Sequence, residues 1–304
     1  MEKKFLQFEL WKNCHVNCKF CFNKYQPTFN AENKLKNLQR IINILKTDEI
    51  NNYNELGFIG GEFFGGQLDQ KEIEDKFYEA LEIIANLLKT NKLNKFYIAT
   101  SLIFDIKDYF QKFIDFFIDN KLLKRLCICT SYDTFGRFKS NKEEELWQMN
   151  MLYLHNQYPM LELHTQIIIT EDFIQKVLKN EFNIQNFSKK FNTSIDYNIP
   201  HTGYDYRNKE EFDKYVPNFL PKRNDFLNFL RKTIILDKSI NILDLFANEK
   251  KANTIHVLYN STNYIATNKN IETLLPFGLY KKAGYIDSNI NIWDDVEKLK
   301  KELS

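Results

Sequence analysis

Apolar and polar positions along the first two hundred residues follow two periods in turn. Short apolar or alternating runs at Phe5–Leu10, Leu56–Ile59, Phe96–Leu102, Leu126–Ser131, Glu162–Ile169 and Ser194–Ile199 have the length and composition of strands. Between them, apolar residues recur three and four positions apart. Leu35, Leu38, Ile41, Ile42 and Leu45 form one such stripe, and Ile73, Phe77, Leu81, Ile84 and Leu88 another. Tyr109–Ile118, Glu143–His155 and Glu171–Leu178 also read as helices, and Asp69 with Glu72 reads as the N-cap and box partner of the second stripe. The stripes are core packing. Strand and helix alternating at this spacing predict βα units around a parallel sheet, an α/β fold.

Because strand side chains alternate sides, the pattern also predicts which of them share a face. Cys127, Cys129, Ser131 and Asp133 fall on one side of the fourth strand, His164 and Gln166 on one side of the fifth, Asp196 and Asn198 of the sixth, and Gln7 and Glu9 of the first. Polar groups inside such a fold need partners. They line a cavity or satisfy one another, and the sequence leaves both open; for Cys127 and Cys129, filling interior space is the preferred reading.

Past Ile199 the pattern changes. Pro200-His201-Thr202-Gly203 is turn-like. Residues 221–235 read as a basic amphipathic helix carrying Phe226, Leu227, Phe229 and Leu230, and Lys222, Arg223, Arg231 and Lys232 make either a solvated face or an anion site. Ile255–Tyr259 and Tyr264–Thr267 suggest a hairpin, and Trp293–Leu303 a last helix. The expected division is residues 1–200 as the βα unit and 201–304 as a mixed α/β cap that recognises substrate.

Composition narrows the setting. The chain has 304 residues, a formal charge of +2 and an isoelectric point near 8.1, which neither demands nor excludes nucleic acid. With 9 Gly and 6 Pro there is little material for long linkers. Five cysteines in a chain this long are not a disulfide framework. The start, MEKKFLQFELWKN, lacks the apolar core of a signal peptide, and no run approaches the length of a membrane span. The expectation is a cytoplasmic protein with no membrane partner.

Three of the cysteines carry the chemistry. Cys14, Cys18 and Cys21 stand in CHVNCKFC directly after the first strand. Thiolates select zinc, copper(I) or iron–sulfur clusters. A zinc loop completed by His15 or a distant cysteine would make a non-catalytic binding module. A cluster held by three cysteines leaves one iron open. The spacing Cys-x3-Cys-x2-Cys, with Phe20 before the last cysteine, resembles the signature of the radical S-adenosylmethionine (radical SAM) superfamily. Gly60-Gly61-Glu62 after the second strand looks like that family's Gly-Gly-Glu, and Ser131-Tyr132-Asp133 with Arg137 resembles its Ser-x-Asp segment and downstream arginine. Thr100-Ser101-Leu102 is similar to a further family segment but departs from it at two positions.

The resemblance implies a partial (β/α)6 barrel and a 4Fe–4S cluster on Cys14, Cys18 and Cys21. It implies that Gly60, Gly61 and Glu62 meet the amino group of SAM, with Phe20, Ser131 and Arg137 as further SAM contacts. The activity implied is reductive cleavage of SAM to a 5′-deoxyadenosyl radical that abstracts hydrogen from substrate, fed by an electron donor such as flavodoxin or ferredoxin. Peptide or protein modification is the expected use. A nucleotide, RNA or a small metabolite is the alternative substrate. No catalytic acid, base or hydrogen donor is assigned.

Overall fold

Strand order along the sheet follows chain order for its first six members. The computed structural model describes residues 5–16, 18–19, 21, 28–107, 109–198, 222–236, 258–260, 263–268 and 271–275. Strands β1 (Phe5–Glu9), β2 (Glu55–Ile59), β3 (Lys95–Ala99), β4 (Leu126–Tyr132), β5 (Glu162–Ile168) and β6 (Ser194–Asn198) each pair in parallel with the next. Strand β9 (Ile271–Leu275) pairs in parallel with the other edge of β1, followed by the antiparallel strands β8 (Asn263–Asn268) and β7 (Leu258–Asn260), in the order 6-5-4-3-2-1-9-8-7. Sequential parallel order requires crossovers of one hand, which lay the helices on one face.

That face is visible in the packing. Leu6, Phe8, Leu56, Phe58, Phe96, Ile98, Leu126, Ile128 and Leu163 are all buried and join one cluster with the inner residues of α1 (Ala31–Leu45), α2 (Lys71–Lys89), α3 (Tyr109–Asp119), α4 (Asn141–Gln157) and α6 (Ile184–Phe191). Phenylalanines dominate it: Phe58 meets Phe8, Phe77 and Phe96 edge-on or tilted, and Phe96 stacks on Phe117 at 5.9 Å. Offset and edge-to-face contacts add directionality to the area these rings bury. A second cluster joins α5 (Glu171–Leu178) and α7 (Arg223–Leu236) through Phe173, Ile174, Phe226, Phe229 and Leu230 to Ile167 and Tyr197 of β5 and β6.

The helices start where short polar side chains take up the first free N–H groups. Asn30 caps α1, Ser140 α4, Thr170 α5 and Asn183 α6. The expected box at Asp69 is not the cap: α2 begins at Lys71 after Gln70, whose side chain makes no cap bond. Strand β3 stops at Ala99 rather than Leu102, because Leu102 adopts φ 55° and the chain turns at Thr100-Ser101. The hairpin forms close to its expected position, with Tyr259 opposite Tyr264. Helix α6 and strand β9 were not anticipated. Of the basic cluster, Lys232 binds the carbonyls of Val177 and Leu178, closing the C-terminus of α5. Phe20, the turn at 200–203 and the expected last helix lie outside the described residues. Among the described residues no helix is long and apolar enough to cross a membrane. The expected α/β architecture is present, as a sheet whose described helices lie on one face.

Candidate metal centre

The cysteine loop begins as an extension of the sheet. Beyond the ends of β1 and β2 the ladder continues: Leu10 N–H donates to Ile59 O, Gly61 N–H to Trp11 O at 2.6 Å, and Glu62 N–H to Asn13 O at 2.8 Å. This is why two glycines stand here. A Cβ on Gly60 would lie 2.3 Å from Trp11 O and one on Gly61 2.0 Å from Asn13 O, and Gly60 has φ +137°. Only residues without a Cβ let the two backbones meet this closely. The glycines seat the cysteine loop.

Asparagines fix the loop's path. Asn37 on α1 donates to Glu9 O and Leu10 O, and Asn13 exchanges two bonds with the backbone of Phe29, at 2.9 and 2.8 Å. Glu9 and Lys12, both buried, pair at 3.6 Å at the loop entrance. On the far side Lys19 N–H donates to Gly136 O, and Lys139 Nζ to His15 O. The loop is thereby held between β2, α1 and the segment after β4.

Glu62 is completely buried. Its Oε1 accepts from Phe63 N–H and Phe64 N–H, its Oε2 from Ser101 N–H at 2.6 Å, and the Thr100 hydroxyl reaches both oxygens. Four donors on one carboxylate fill its lone-pair positions. Glu62 is the clamp that joins the ends of β2 and β3, which explains the early stop of β3. Trp11 Nε1–H bonds Glu62 O at 2.7 Å and ties the same point to the cysteine loop.

Asp133, also completely buried, organises the third wall. Its carboxylate accepts from Gly136 N–H, Arg137 N–H and the Thr170 hydroxyl. Burial raises its carboxyl above the ordinary range, and these bonds oppose the rise. The tight turn aims Arg137 back: its guanidinium donates to the Ser131 hydroxyl and to Ser101 O at 3.0 Å. The structure thus brings Ser131, Arg137, Ser101 and Glu62 into one network beside the cysteine loop.

Cys14 is exposed, Cys21 half-buried and Cys18 buried. Burial pushes the Cys18 thiol up to about 12; Arg137 pulls it down, while Cys21, Cys14 and Asp133 push it up further. Among the described residues no three His, Cys, Asp or Glu side chains stand arranged around a metal ion. The donor set nevertheless fits an iron–sulfur cluster. Three soft ligands lie in one loop, and the metal's charge stabilises thiolates that burial disfavours. Arg137 Nε is buried with no partner in the structure, an N–H that a cluster sulfur or a bound anion would satisfy. His15 Nε2 lies 2.8 Å from Ile103 O, a bond that fixes the ring's orientation beside the loop.

Comparison with known proteins agrees on the cofactor. Residues 7–127, from β1 into β4, match the model of a 4Fe–4S single cluster domain. That span contains the cysteine loop, Glu62 and Ser101. No curated protein sequence matches the chain. Among solved structures, Streptococcus suis SuiB superposes with a TM-score of 0.44 at 10% identity over 79% of this chain and 48% of that one. The chain therefore spans about half of that protein's length.

Thr100, Asn13 and Asn37 were missed as site residues. Their partners lie 16 to 38 residues away, and the one pointer to Thr100 was the likeness of Thr100-Ser101-Leu102 to a family segment.

Proposed function

We propose that the chain is a radical SAM enzyme acting in peptide or protein modification. The observation that carries the reading is the placement of three thiol ligands, in a loop built onto the ends of β1 and β2, against a buried arginine with an unpaired N–H. In this reading Cys14, Cys18 and Cys21 hold a 4Fe–4S cluster, Gly60-Gly61-Glu62 receives the amino group of SAM, and Ser131 and Arg137 its carboxylate. Phe20 is a further contact. When bound, the cluster and SAM supply a 5′-deoxyadenosyl radical for hydrogen abstraction; the hard chemistry is the cofactors' own.

The chain's residues bind and orient. Arg137 offers a planar donor fork suited to a carboxylate. Glu62, with four donors upon it, fixes the Gly60-Gly61 backbone and lends negative charge to that wall. The partially polar face of the sheet is the substrate side, and residues 201–304, whose strand β9 extends the sheet beside β1, supply the substrate-recognition region. A one-electron donor of the flavodoxin or ferredoxin class completes the cycle. Peptide or protein as substrate rests on the resemblance of the segment pattern, with a nucleotide, RNA or small metabolite as the alternative.

Anaerobically reconstituted protein, reduced with dithionite, is expected to convert SAM to 5′-deoxyadenosine and methionine. Protein that binds one zinc per chain, carries no sulfide and leaves SAM intact would sink the proposal and favour a zinc-stabilised binding module.

A further inference from the structure

Arg137 is only 6% exposed, yet its guanidinium is held by neutral groups. It donates to the Ser131 hydroxyl on β4 and to Ser101 O in the turn after β3. Its Nε–H is closed off from solvent and has no partner among the described residues. Among those residues no carboxylate lies within ion-pair distance of it. The other buried charges around the cysteine loop are compensated. Lys12 pairs with Glu9, four donors surround Glu62, and the Asp133 carboxylate accepts from two backbone N–H groups and the Thr170 hydroxyl. A buried cation held by neutral groups alone is costly, and the cost is offset by an anion at close range.

Two anions could serve. A carboxylate arriving from solvent meets the tip of the guanidinium fork, whose nitrogens already lie against Ser131 and Ser101, and not the enclosed Nε. The cysteine loop is the other source. Lys19, the residue after Cys18, donates its N–H to Gly136 O at 2.8 Å, which binds the segment of Arg137 to the segment of Cys18. Cys18 is itself only 8% exposed. Burial has the largest influence on its thiol and raises it; Arg137 comes next and lowers it, the sign of a cation beside that sulfur. A 4Fe–4S cluster on three thiolates carries a net negative charge, and a larger one when reduced.

We propose that Arg137 is the counter-ion of the cluster, its Nε–H donating to a cluster-bound sulfur and its charge raising the cluster's reduction potential. This rests on the reading of Cys14, Cys18 and Cys21 as cluster ligands and leaves the fork's tip for SAM. One electron from an external reductant enters the oxidised cluster; no bond breaks and no proton moves. The added negative charge lies beside a fixed, dehydrated cation, so the reduced state gains more than the oxidised one. Ser131 and Ser101 O keep the cation from turning away. Asp133 acts in the opposite sense on Cys18, with its charge shared among its own donors.

The test uses the full, anaerobically reconstituted chain, dithionite as the electron source and no SAM. With arginine carrying ¹⁵N at Nε, the reduced cluster of the unaltered protein should show a ¹⁵N coupling in pulsed EPR, and Arg137→Lys should lose it. Redox titration of Arg137→Gln should shift the oxidised-to-reduced ratio about tenfold towards the oxidised form, or about 59 mV lower. Arg137→Lys, which keeps the charge, should recover at least about half of that shift. A reduced cluster without the coupling overturns the proposal even if no variant folds. An unchanged potential in Arg137→Gln also overturns it, and is the result expected if the arginine serves only the SAM carboxylate. Coupling and shift in protein that leaves SAM intact would defeat the radical SAM reading and leave this one standing. SAM cleavage with neither would do the reverse, and a chain that assembles no cluster overturns both.

Discussion

The same six strands present two unlike faces. Towards the helices they show Leu6, Phe8, Leu56, Phe58, Phe96, Ile98 and Ile128, every one buried to within a few per cent. Towards the other side they show Gln7, Tyr97, Cys129, Ser131, His164, Gln166 and Asp196, all partly exposed. A period of two separates the faces in kind, with Glu9 and Cys127 as buried members of the polar face, so neighbouring residues serve different ends. The first face holds the sheet together by area and ring packing; the second and its upper rim hold polar and sulfur groups against one another. Changes on the first should lower stability and spare chemistry, and changes on the second or at the rim should do the reverse.

The largest effect is expected at the rim. Cys18→Ala should abolish both the cluster's visible absorbance and SAM cleavage while far-ultraviolet circular dichroism stays native; cleavage retained in that variant would remove the cluster from this loop. Next comes the helix face: Phe58→Ala should cost about 3–5 kcal/mol in denaturant unfolding yet leave cleavage per folded molecule unchanged. A fall in that specific activity would mean the faces are coupled. Glu62→Gln sharpens the comparison, because it removes charge and leaves an amide facing donors. It should cost about 1.5–3 kcal/mol. Weaker SAM binding with stability intact would show that Glu62 serves the ligand rather than the clamp. Gly61→Ala, with its Cβ driven against Asn13 O, should cost about 1–3 kcal/mol and lower the iron retained on desalting; normal iron content would separate loop seating from cluster binding. Smallest is Gln166→Ala on the polar face, at about 0.5 kcal/mol or less. A loss several times larger would show that this face, too, is structural.

How far the sequence reached follows the same division. Strands and long helices were legible because each carries its own period, and β2, β4 and α5 fall within a residue or so of expectation. Helix α6 was not, since eight residues hold only Ile184, Phe187 and Phe191 as a stripe; its signs were the cap Asn183 and the left-handed Asn192 that ends it. Strand β9 escaped because its pairing with β1 is a relation across the whole chain. The cysteine run was singled out by its spacing, and the structure builds its loop onto the ends of β1 and β2. The glycines were singled out as a place where backbone could approach a ligand, whereas the backbone they admit is that of the cysteine loop. Glu62 was noted for its charge, but its four donors come from residues up to 39 positions away, which no local pattern could reveal.

Order along the sheet also sets an order in time. Each of β2 to β6 has a neighbour earlier in the chain, already made when it is synthesised, but one flank of β1 is matched only by β9, which begins at Ile271. At ordinary translation speeds the gap is on the order of ten to fifty seconds. For that interval the strand leading into the three cysteines has an open flank, and metal delivery to the nascent chain would meet the loop before its last neighbour arrives.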